Sequence, residues 1–473
     1  MTDLGTRMSA AEVLISLDRC SPTPLRLQLE QRLRDLIRAG VLTAGTLLPS
    51  SRVLAADLGV SRRLVVEVYE QLVAEGYLIS TERCATRVGV VAATTGCATT
   101  QEPWTPRYDL RPGLPALAEF PRTAWLRALT HAVRQAPDAA FGNPDPRGSA
   151  VLRCAVADYL RRARAVVAHP DRIIICAGFT QALSLLTSTL ATLSGRPTIA
   201  LENPGAAGRD RTITAAGGDW ALCPVDEHGM QIDRLPHHAQ AAVVTPAHQF
   251  PLGATLAPHR RTALLDWARD GRLVIEDDYD AEFRFDRQPV GAVQGLAPEH
   301  VAYVGTVSKT LSPALRLGWL VLPSALVDAV TQTKKACDVG SPTLDQLALA
   351  HLIDSGAYER HLRRIRKQYH CHRDALVSAL GRHLPHAEIT GVAAGIHLVV
   401  RSPGAPDPDR LVIAAAHNDL AIGSISRFLL GEAREHADRI VLGYANIRPS
   451  AIDTAVRTLA ALVRPVEPSE GGS

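Results

Sequence analysis

Residues 303–323 read YVGTVSKTLSPALRLGWLVLP. The stretch opens as a short apolar strand and passes at once into small hydroxyl residues around one lysine, Lys309. The chain uses lysine sparingly: of its 51 basic residues only Lys309, Lys334, Lys335 and Lys367 are lysines. A shielded lysine gives up its proton and condenses with a carbonyl, which arginine cannot do. Thr306 and Ser308 suit an anion such as a phosphate, and Arg316 follows close enough in the chain to reach the same group.

Working outward, short and mostly apolar strands are predicted at 172–176, 198–201, 241–245, 273–276 and 301–304, with helical stretches between several of them. This alternation predicts an α/β domain around a largely parallel sheet. Two further strand ends carry chemistry. The strand at 273–276 runs into Glu276-Asp277-Asp278-Tyr279, and open α/β sheets bind ligands at such carboxyl ends. A carboxylate there pairs with a pyridinium nitrogen or, more simply, caps a loop. The strand at 172–176 leads through Ala177-Gly178-Phe179-Thr180-Gln181 into a helix. The free N–H groups and positive dipole of such a junction make an anion site, although most such junctions are only turns. A lysine, an acid and an anion cradle together are what pyridoxal 5'-phosphate requires from a protein. Beyond residue 340, a long basic helix (Tyr358 to Leu380) and shorter elements predict a smaller α+β subdomain reaching about 467.

Upstream, residues 25–88 predict a small helical unit. Apolar spacing marks one helix from Pro24-Leu25 to Gly40. Ser50 or Ser51 caps a second, which Gly59 ends, and Ser61 caps a third that stops before Gly76. Two short strands, 77–80 and 86–88, follow as a wing with Arg83 and Arg87 near its tip. Helices joined by Leu58-Gly59-Val60-Ser61 have the form of a helix-turn-helix. Arg62 and Arg63 fall in the first turn of its second helix, the end that such motifs present to base edges, and Arg52 starts the preceding helix, within easy reach of a phosphate. Solvated surface arginines are the bland alternative.

Composition sets outer bounds. At 473 residues the chain is too long for one ordinary domain. Its net charge of +3 neither demands nor excludes nucleic acid. The eight cysteines include no Cys-x-x-Cys pair and no zinc-type spacing, so reduced thiols and no metal site are expected. No apolar run is long enough to span a membrane and the N-terminus lacks a signal layout, so a cytoplasmic location is expected.

The N-terminal stretches PLRLQL (24–29) and LPSSRVLAADLGVSRRLVVEVYEQLVAEGYL (48–78) resemble the winged helix-turn-helix of the GntR family. The resemblance implies contact between double-stranded operator DNA and Arg52, Ser61 and Arg62. The family's Gly-rich wing tip is replaced here by Cys84-Ala85-Thr86. The stretches FGNPDPRGSAVLR (141–153), TPAHQFPLG (245–253), IEDDYDAEFRFD (275–286) and 303–323 resemble fold-type I aminotransferases, and with the N-terminal unit the MocR subgroup of GntR regulators. That resemblance implies Lys309 as the internal-aldimine lysine and Asp277 as the pyridinium partner. It further implies Tyr279 on the ring hydroxyl oxygen, and Gly178, Phe179, Thr180, Thr306, Ser308 and Arg316 on the phosphate. The family's E-x-P-x-Y stretch is Glu202-Asn203-Pro204-Gly205-Ala206 here, without the aromatic that stacks on the cofactor. Its carboxylate-binding arginine has only an offset counterpart, Arg439.

The expectation is thus a DNA-binding domain over 15–88, a linker over 89–107 and an aminotransferase-like, pyridoxal-phosphate-binding domain over 108–467. As a whole this implies a homodimeric transcription regulator sensing an amine, an amino acid or the cofactor itself, with at most weak transamination. The alternative is a catalytic aminotransferase carrying an accessory domain.

Overall fold

Leu29, Leu33 and Ile37 share one face of helix α1 (Leu25–Arg38) and are buried against residues of α2 (Ser51–Leu58) and α3 (Arg62–Ala74), among them Leu54, Val65, Val68 and Leu72. Ser50 caps α2 by accepting the Val53 N–H at 3.3 Å, and Ser61 caps α3 by accepting the Leu64 N–H at 3.2 Å. Between them Gly59 takes a φ of +62°, a left-handed conformation costly for side-chain-bearing residues. The Arg19 guanidinium donates to the Gly59 carbonyl at 2.7 Å, so a side chain at 59 would also crowd that contact. Strands β1 (Leu78–Ile79) and β2 (Arg87–Val88) pair antiparallel as the wing. The computed structural model describes residues 15–80, 85–90, 104–286, 290–431 and 436–463. Arg83 and Cys84, and most of the expected linker, lie outside the described residues. By its internal contacts the chain divides into two units, Met1–Trp104 and Thr105–Ser473.

The larger unit is built on an eight-stranded sheet. In chain order its strands are β3 (Ile173–Cys176), β4 (Thr198–Asn203), β5 (Asp219–Asp226), β6 (Gly229–Met230), β7 (Ala241–Val244), β8 (Leu273–Asp278), β9 (Val301–Thr306) and β10 (Gly318–Val321). Across the sheet they lie in the order β3-β10-β9-β8-β7-β4-β5-β6. The run β9-β8-β7-β4-β5 is parallel throughout, as the alternating pattern predicts. Strands β5 and β10, like the two-residue β6, were not among the predicted ones. The first begins with exposed Asp219 and Trp220 and contains Pro224, which mask its period. The second is a four-residue antiparallel return wedged between β9 and β3. Side chains alternate across the sheet. Ile174, Cys176, Val304 and Leu320 pack on one face with Leu183 and Leu186 of helix α4 (Phe179–Ser194). Ile173, Ile175, Tyr303 and Trp319 pack on the other with Val156 and Leu349.

Register aligns the strand ends that matter. Gly318 pairs with both Cys176 and Thr306, and Gly305 pairs with Asp278. The carboxyl ends of β3, β8 and β9 therefore reach one edge of the sheet together. The smaller subdomain carries the long helix, here Ala357–His383, and a four-stranded antiparallel sheet of Glu388–Thr390, His397–Arg401, Arg439–Gly443 and Gly423–Ser424. Tyr108–Asp109 pairs in parallel with Leu420–Ala421, so the start of this unit contributes to the same subdomain. No helix among the described residues is long and apolar enough to cross a membrane.

Candidate functional site

The aligned strand ends open on a cavity of about 520 Å³. Lys309, Asp277, Tyr279, Phe179, Thr180, Thr306, Ser308 and Arg316 all line it, and Gly178 caps the helix that Phe179 begins. Every residue singled out for the cofactor is therefore brought to one place.

The Lys309 amine donates to the Gly113 carbonyl, and burial holds its pKa below the ordinary lysine value against the pull of Asp280 and Asp277. Near it Thr306 Oγ1 lies 2.8 Å from Ser308 Oγ and accepts the Ser308 N–H at 3.1 Å. Gly178, at φ +93°, faces this pair: a Cβ there would stand 3.6 Å from Thr306 Oγ1 and 3.8 Å from Arg316 Nη2. The open N-terminus of α4, two hydroxyls and a guanidinium thus converge on a space that glycine leaves clear, which is the donor set of a phosphate cradle.

The last two of the three acids of β8, Asp277 and Asp278, point to opposite sides. Asp278 takes two hydrogen bonds from the buried Arg164, at 2.7 and 3.2 Å, and one from the Tyr303 hydroxyl at 2.6 Å. Asp277 faces the cavity. Its Oδ2 accepts a hydrogen bond from Arg209, while Oδ1 is buried without a partner. Burial pushes the Asp277 carboxyl up to about 7, although Arg209 pulls it down. Behind Tyr279, His248 Nδ1 lies 3.1 Å from the tyrosine oxygen and 2.9 Å from Asp280 Oδ2. His397, pushed down to about 4 by burial, donates through Nε2 to the Pro251 carbonyl at 2.9 Å.

An unpartnered acceptor, a desolvated lysine and a phosphate cradle fit pyridoxal 5'-phosphate. Ala206 lines the cavity where the family's aromatic would stand; Phe179, Phe250 and Phe428 line it too, and the Arg209 guanidinium lies 4.6 Å from the Phe179 ring centre. Arg439 is not among the lining residues. Arg209 and His248 were not picked out from the sequence. His248 sits inside the quoted stretch 245–253, and Arg209 follows Gly208 in ENPGAAGRD (202–210).

In the N-terminal unit Arg52, Ser61, Arg62 and Arg63 are all exposed. The Ser61 hydroxyl already serves as cap acceptor for α3. Arg63 donates to Glu67 at 2.9 Å one turn on, whereas Arg52 and Arg62 make no ion pair among the described residues. Of these three arginines, the two without an acidic partner among the described residues sit in the first turns of α2 and α3.

Residues 116–444 match the family model for aminotransferase class I and II, and residues 25–88 match that for bacterial regulatory proteins of the gntR family. The chain is 32% identical to the HTH-type pyridoxine biosynthesis transcriptional regulator PdxR of Corynebacterium glutamicum, covering 92% of this chain and 95% of that one. It is also 32% identical to the probable rhizopine catabolism regulatory protein MocR of Rhizobium meliloti, covering 96% and 97%. Among solved structures it is similar to LysN, the α-aminoadipate aminotransferase of Thermus thermophilus complexed with N-(5'-phosphopyridoxyl)-L-leucine. That match has a TM-score of 0.67 and 25% identity over 75% of this chain and 91% of that one.

Proposed function

Because the chain belongs to the MocR/PdxR type of GntR transcription regulators, we propose that it binds operator DNA through residues 15–88 and holds pyridoxal 5'-phosphate in the unit spanning 108–467, joined by a linker over 89–107. The observation that carries the reading is the buried, unpartnered Oδ1 of Asp277 in the same cavity as a desolvated lysine. Lys309 would bond the cofactor, Asp277 would take the ring nitrogen, and Tyr279 the ring hydroxyl oxygen. Gly178, Phe179, Thr180, Thr306, Ser308 and Arg316 would hold the phosphate. When bound, the cofactor supplies an aldehyde carbon that amines bond reversibly and a ring that withdraws electrons.

The protein's own residues do the rest. Burial keeps the Lys309 amine closer to its neutral, nucleophilic form. His248, itself held by Asp280, fixes the Tyr279 hydroxyl. An amine or amino acid arriving at Lys309 changes the contents of the cavity and thereby the protein's hold on DNA, where Arg52 and Arg62 make the contacts and Ser61 and Arg63 flank them. Ala206 at the stacking position and the absence of Arg439 from the lining both disfavour a dedicated transaminase. The working unit is a homodimer, as the resemblance to fold-type I proteins implies, and it acts in the cytoplasm.

Two experiments test this reading. Borohydride reduction followed by peptide mapping places the adduct on Lys309; an adduct on Lys334, Lys335 or Lys367 overturns the assignment. A footprint on the DNA upstream of the gene shows protection that Arg62→Ala weakens while the cofactor spectrum stays intact; no protection by the wild type overturns the regulator reading.

A further inference from the structure

Behind Tyr279 three side chains from distant parts of the chain meet. His248 comes from the loop after β7, Asp280 from just beyond β8, and His397 from the first position of the smaller subdomain's strand His397–Arg401. They are 3%, 1% and 3% exposed. Each offers one ligand atom, and these atoms all lie within 4.8 Å of one another. Gly395, at φ +71°, closes over the group: a Cβ there would overlap both His248 and Asp280.

The donors are set out as metal ligands are. The His397 Nε2–H donates to the Pro251 carbonyl at 2.9 Å, which leaves the Nδ1 lone pair buried and without a partner. Metal-binding imidazoles are oriented in this way, one nitrogen giving its proton to an outer acceptor while the other stays bare. Opposite it, the His248 ring centre lies 5.2 Å from that of His397, and His248 Nδ1 lies 2.9 Å from Asp280 Oδ2. No arginine or lysine forms an ion pair with Asp280 among the described residues; Lys309 bears on it only through the field. The group thus holds a buried negative charge and a lone pair that no side chain takes up.

We propose that His248, Asp280 and His397 form a site for a divalent ion of the zinc class, which joins the smaller subdomain to the end of β8. Two imidazole nitrogens and one carboxylate oxygen are a zinc donor set, and they leave a fourth tetrahedral position. The Tyr279 oxygen, 3.1 Å from His248 Nδ1, stands close to it. Bonds of about 2.0–2.2 Å place tetrahedral ligand atoms about 3.3 Å apart, so the His248–Asp280 contact opens by about 0.4 Å and the widest separation closes by about 1.5 Å. The carboxylate accepts from His248 Nδ1 in the metal-free form. On binding, that proton moves to Nε2, each imidazole presents a lone pair, and nothing is oxidised. One hydrogen bond is replaced by bonds to three elements. Ligands at 248, 280 and 397 have no spacing that a sequence motif could announce. The inference stands apart from the cofactor reading, since none of the three is assigned to the cofactor.

The test uses the full-length protein carrying its cofactor, freed of metal with a chelator and with its exposed thiols alkylated so that sulfur does not compete. Zinc or cobalt(II) is added, and unbound metal is removed by gel filtration. About one ion per chain should remain. X-ray absorption of the cobalt form should show two imidazoles, further oxygen ligands and no sulfur. Zinc should also raise the urea midpoint of the wild type, because the ion binds only the folded chain. His397→Gln and Asp280→Asn should each weaken binding at least about tenfold and lose that rise. No retained ion, a shell with fewer than two imidazoles, or binding by His397→Gln as tight as by the wild type overturns the inference. Should the variants fail to fold, the stoichiometry and ligand shell of the wild type still decide it. Cofactor absorbance in the same samples keeps the two readings apart: cofactor on Lys309 without retained metal overturns this inference alone, and retained metal without cofactor overturns only the cofactor reading.

Discussion

Two regions of the molecule, the surface of the DNA-binding helices and the strand ends of the large sheet, set arginine against acid in opposite surroundings. In the DNA-binding unit, Arg63 and Glu67 form an i,i+4 pair whose side chains are 88% and 44% exposed, and Arg34 and Glu75 tie α1 to the end of α3 at the surface. In the larger unit the side chains of Arg164 and Asp278 are 1% and 3% exposed, and those of Arg209 and Asp277 are 7% and 6% exposed. A surface pair adds little to stability and exchanges partners freely, so the arginines of the first unit remain available for phosphates. A buried pair is costly to break, because removing one partner strands the other charge in a low dielectric. Charge at the start of α3 is therefore adaptable, whereas the two buried pairs of the larger unit are fixed, and the Arg209–Asp277 pair is fixed in the cavity wall.

The largest effect expected from this contrast is on folding. Asp278→Ala strands Arg164, whose burial leaves it no other acid at hydrogen-bond distance, and should destabilise the larger unit by about 3–5 kcal/mol in urea unfolding. The double change Arg164→Met with Asp278→Leu should recover most of that loss. A single variant as stable as the wild type would break the contrast.

Next comes Asp277→Ala. Arg209 can then turn into the cavity, so folding should suffer much less. Loss of a charge-assisted hydrogen bond of about 1.5–3 kcal/mol should instead weaken cofactor binding about ten- to a hundredfold. Spectrophotometric titration with pyridoxal phosphate measures it, and equal losses from Asp277→Ala and Asp278→Ala would mean that the strand does not divide the two roles.

How far these assignments were legible in advance follows from where the chemistry lies in the chain. Lys309, Thr306, Ser308 and Arg316 belong to one short stretch, and the apolar strand before them marks its place at a sheet edge. Alternation along β8 puts Asp277 and Asp278 on opposite sides, but the strand pattern does not say which side holds the cavity; there the resemblance chose Asp277. Arg209 stayed hidden because its partners, Phe179 and Asp277, come from two other elements and meet it only when β3 and β8 align. Strand β10 was missed for a related reason: its antiparallel insertion between β9 and β3 is a property of the sheet, and its four residues carry no period of their own. In the DNA-binding unit the caps Ser50 and Ser61 and the turn at Gly59 act locally, and there sequence and structure agree nearly residue for residue.

In the smaller unit, Arg62→Ala should cost about 1–3 kcal/mol in operator affinity and relax specificity at one position. Arg63→Ala should cost less, since Glu67 already competes for that guanidinium. Binding isotherms at fixed salt on matched operator variants would separate the two, and a larger loss from Arg63→Ala would reverse the ranking.

The smallest effect concerns Glu75. Its bonds from Arg34 at 2.7 and 2.8 Å, and from Gln71, hold its pKa down at about 2 instead of the ordinary 4.5. A depressed carboxylate contributes stability that is present above the unfolded value and lost as pH falls through the folded one. Arg34→Ala should therefore lower stability by about 0.2–1 kcal/mol at neutral pH, with the difference from wild type shrinking between about pH 4.5 and 2. A difference that stays constant through that window would assign the effect to packing.

On this reading the cavity around Lys309 reports its amine content to the DNA-binding surface. Operator binding of the cofactor-loaded protein, titrated with a panel of amines and amino acids alongside Lys309→Ala and with a keto-acid assay on the same samples, decides it. At least one amine should change wild-type affinity without sustained product formation, and Lys309→Ala should still bind DNA but ignore every amine. Robust multiple turnover, with no protected DNA at any salt concentration, would contradict it and make the chain an aminotransferase.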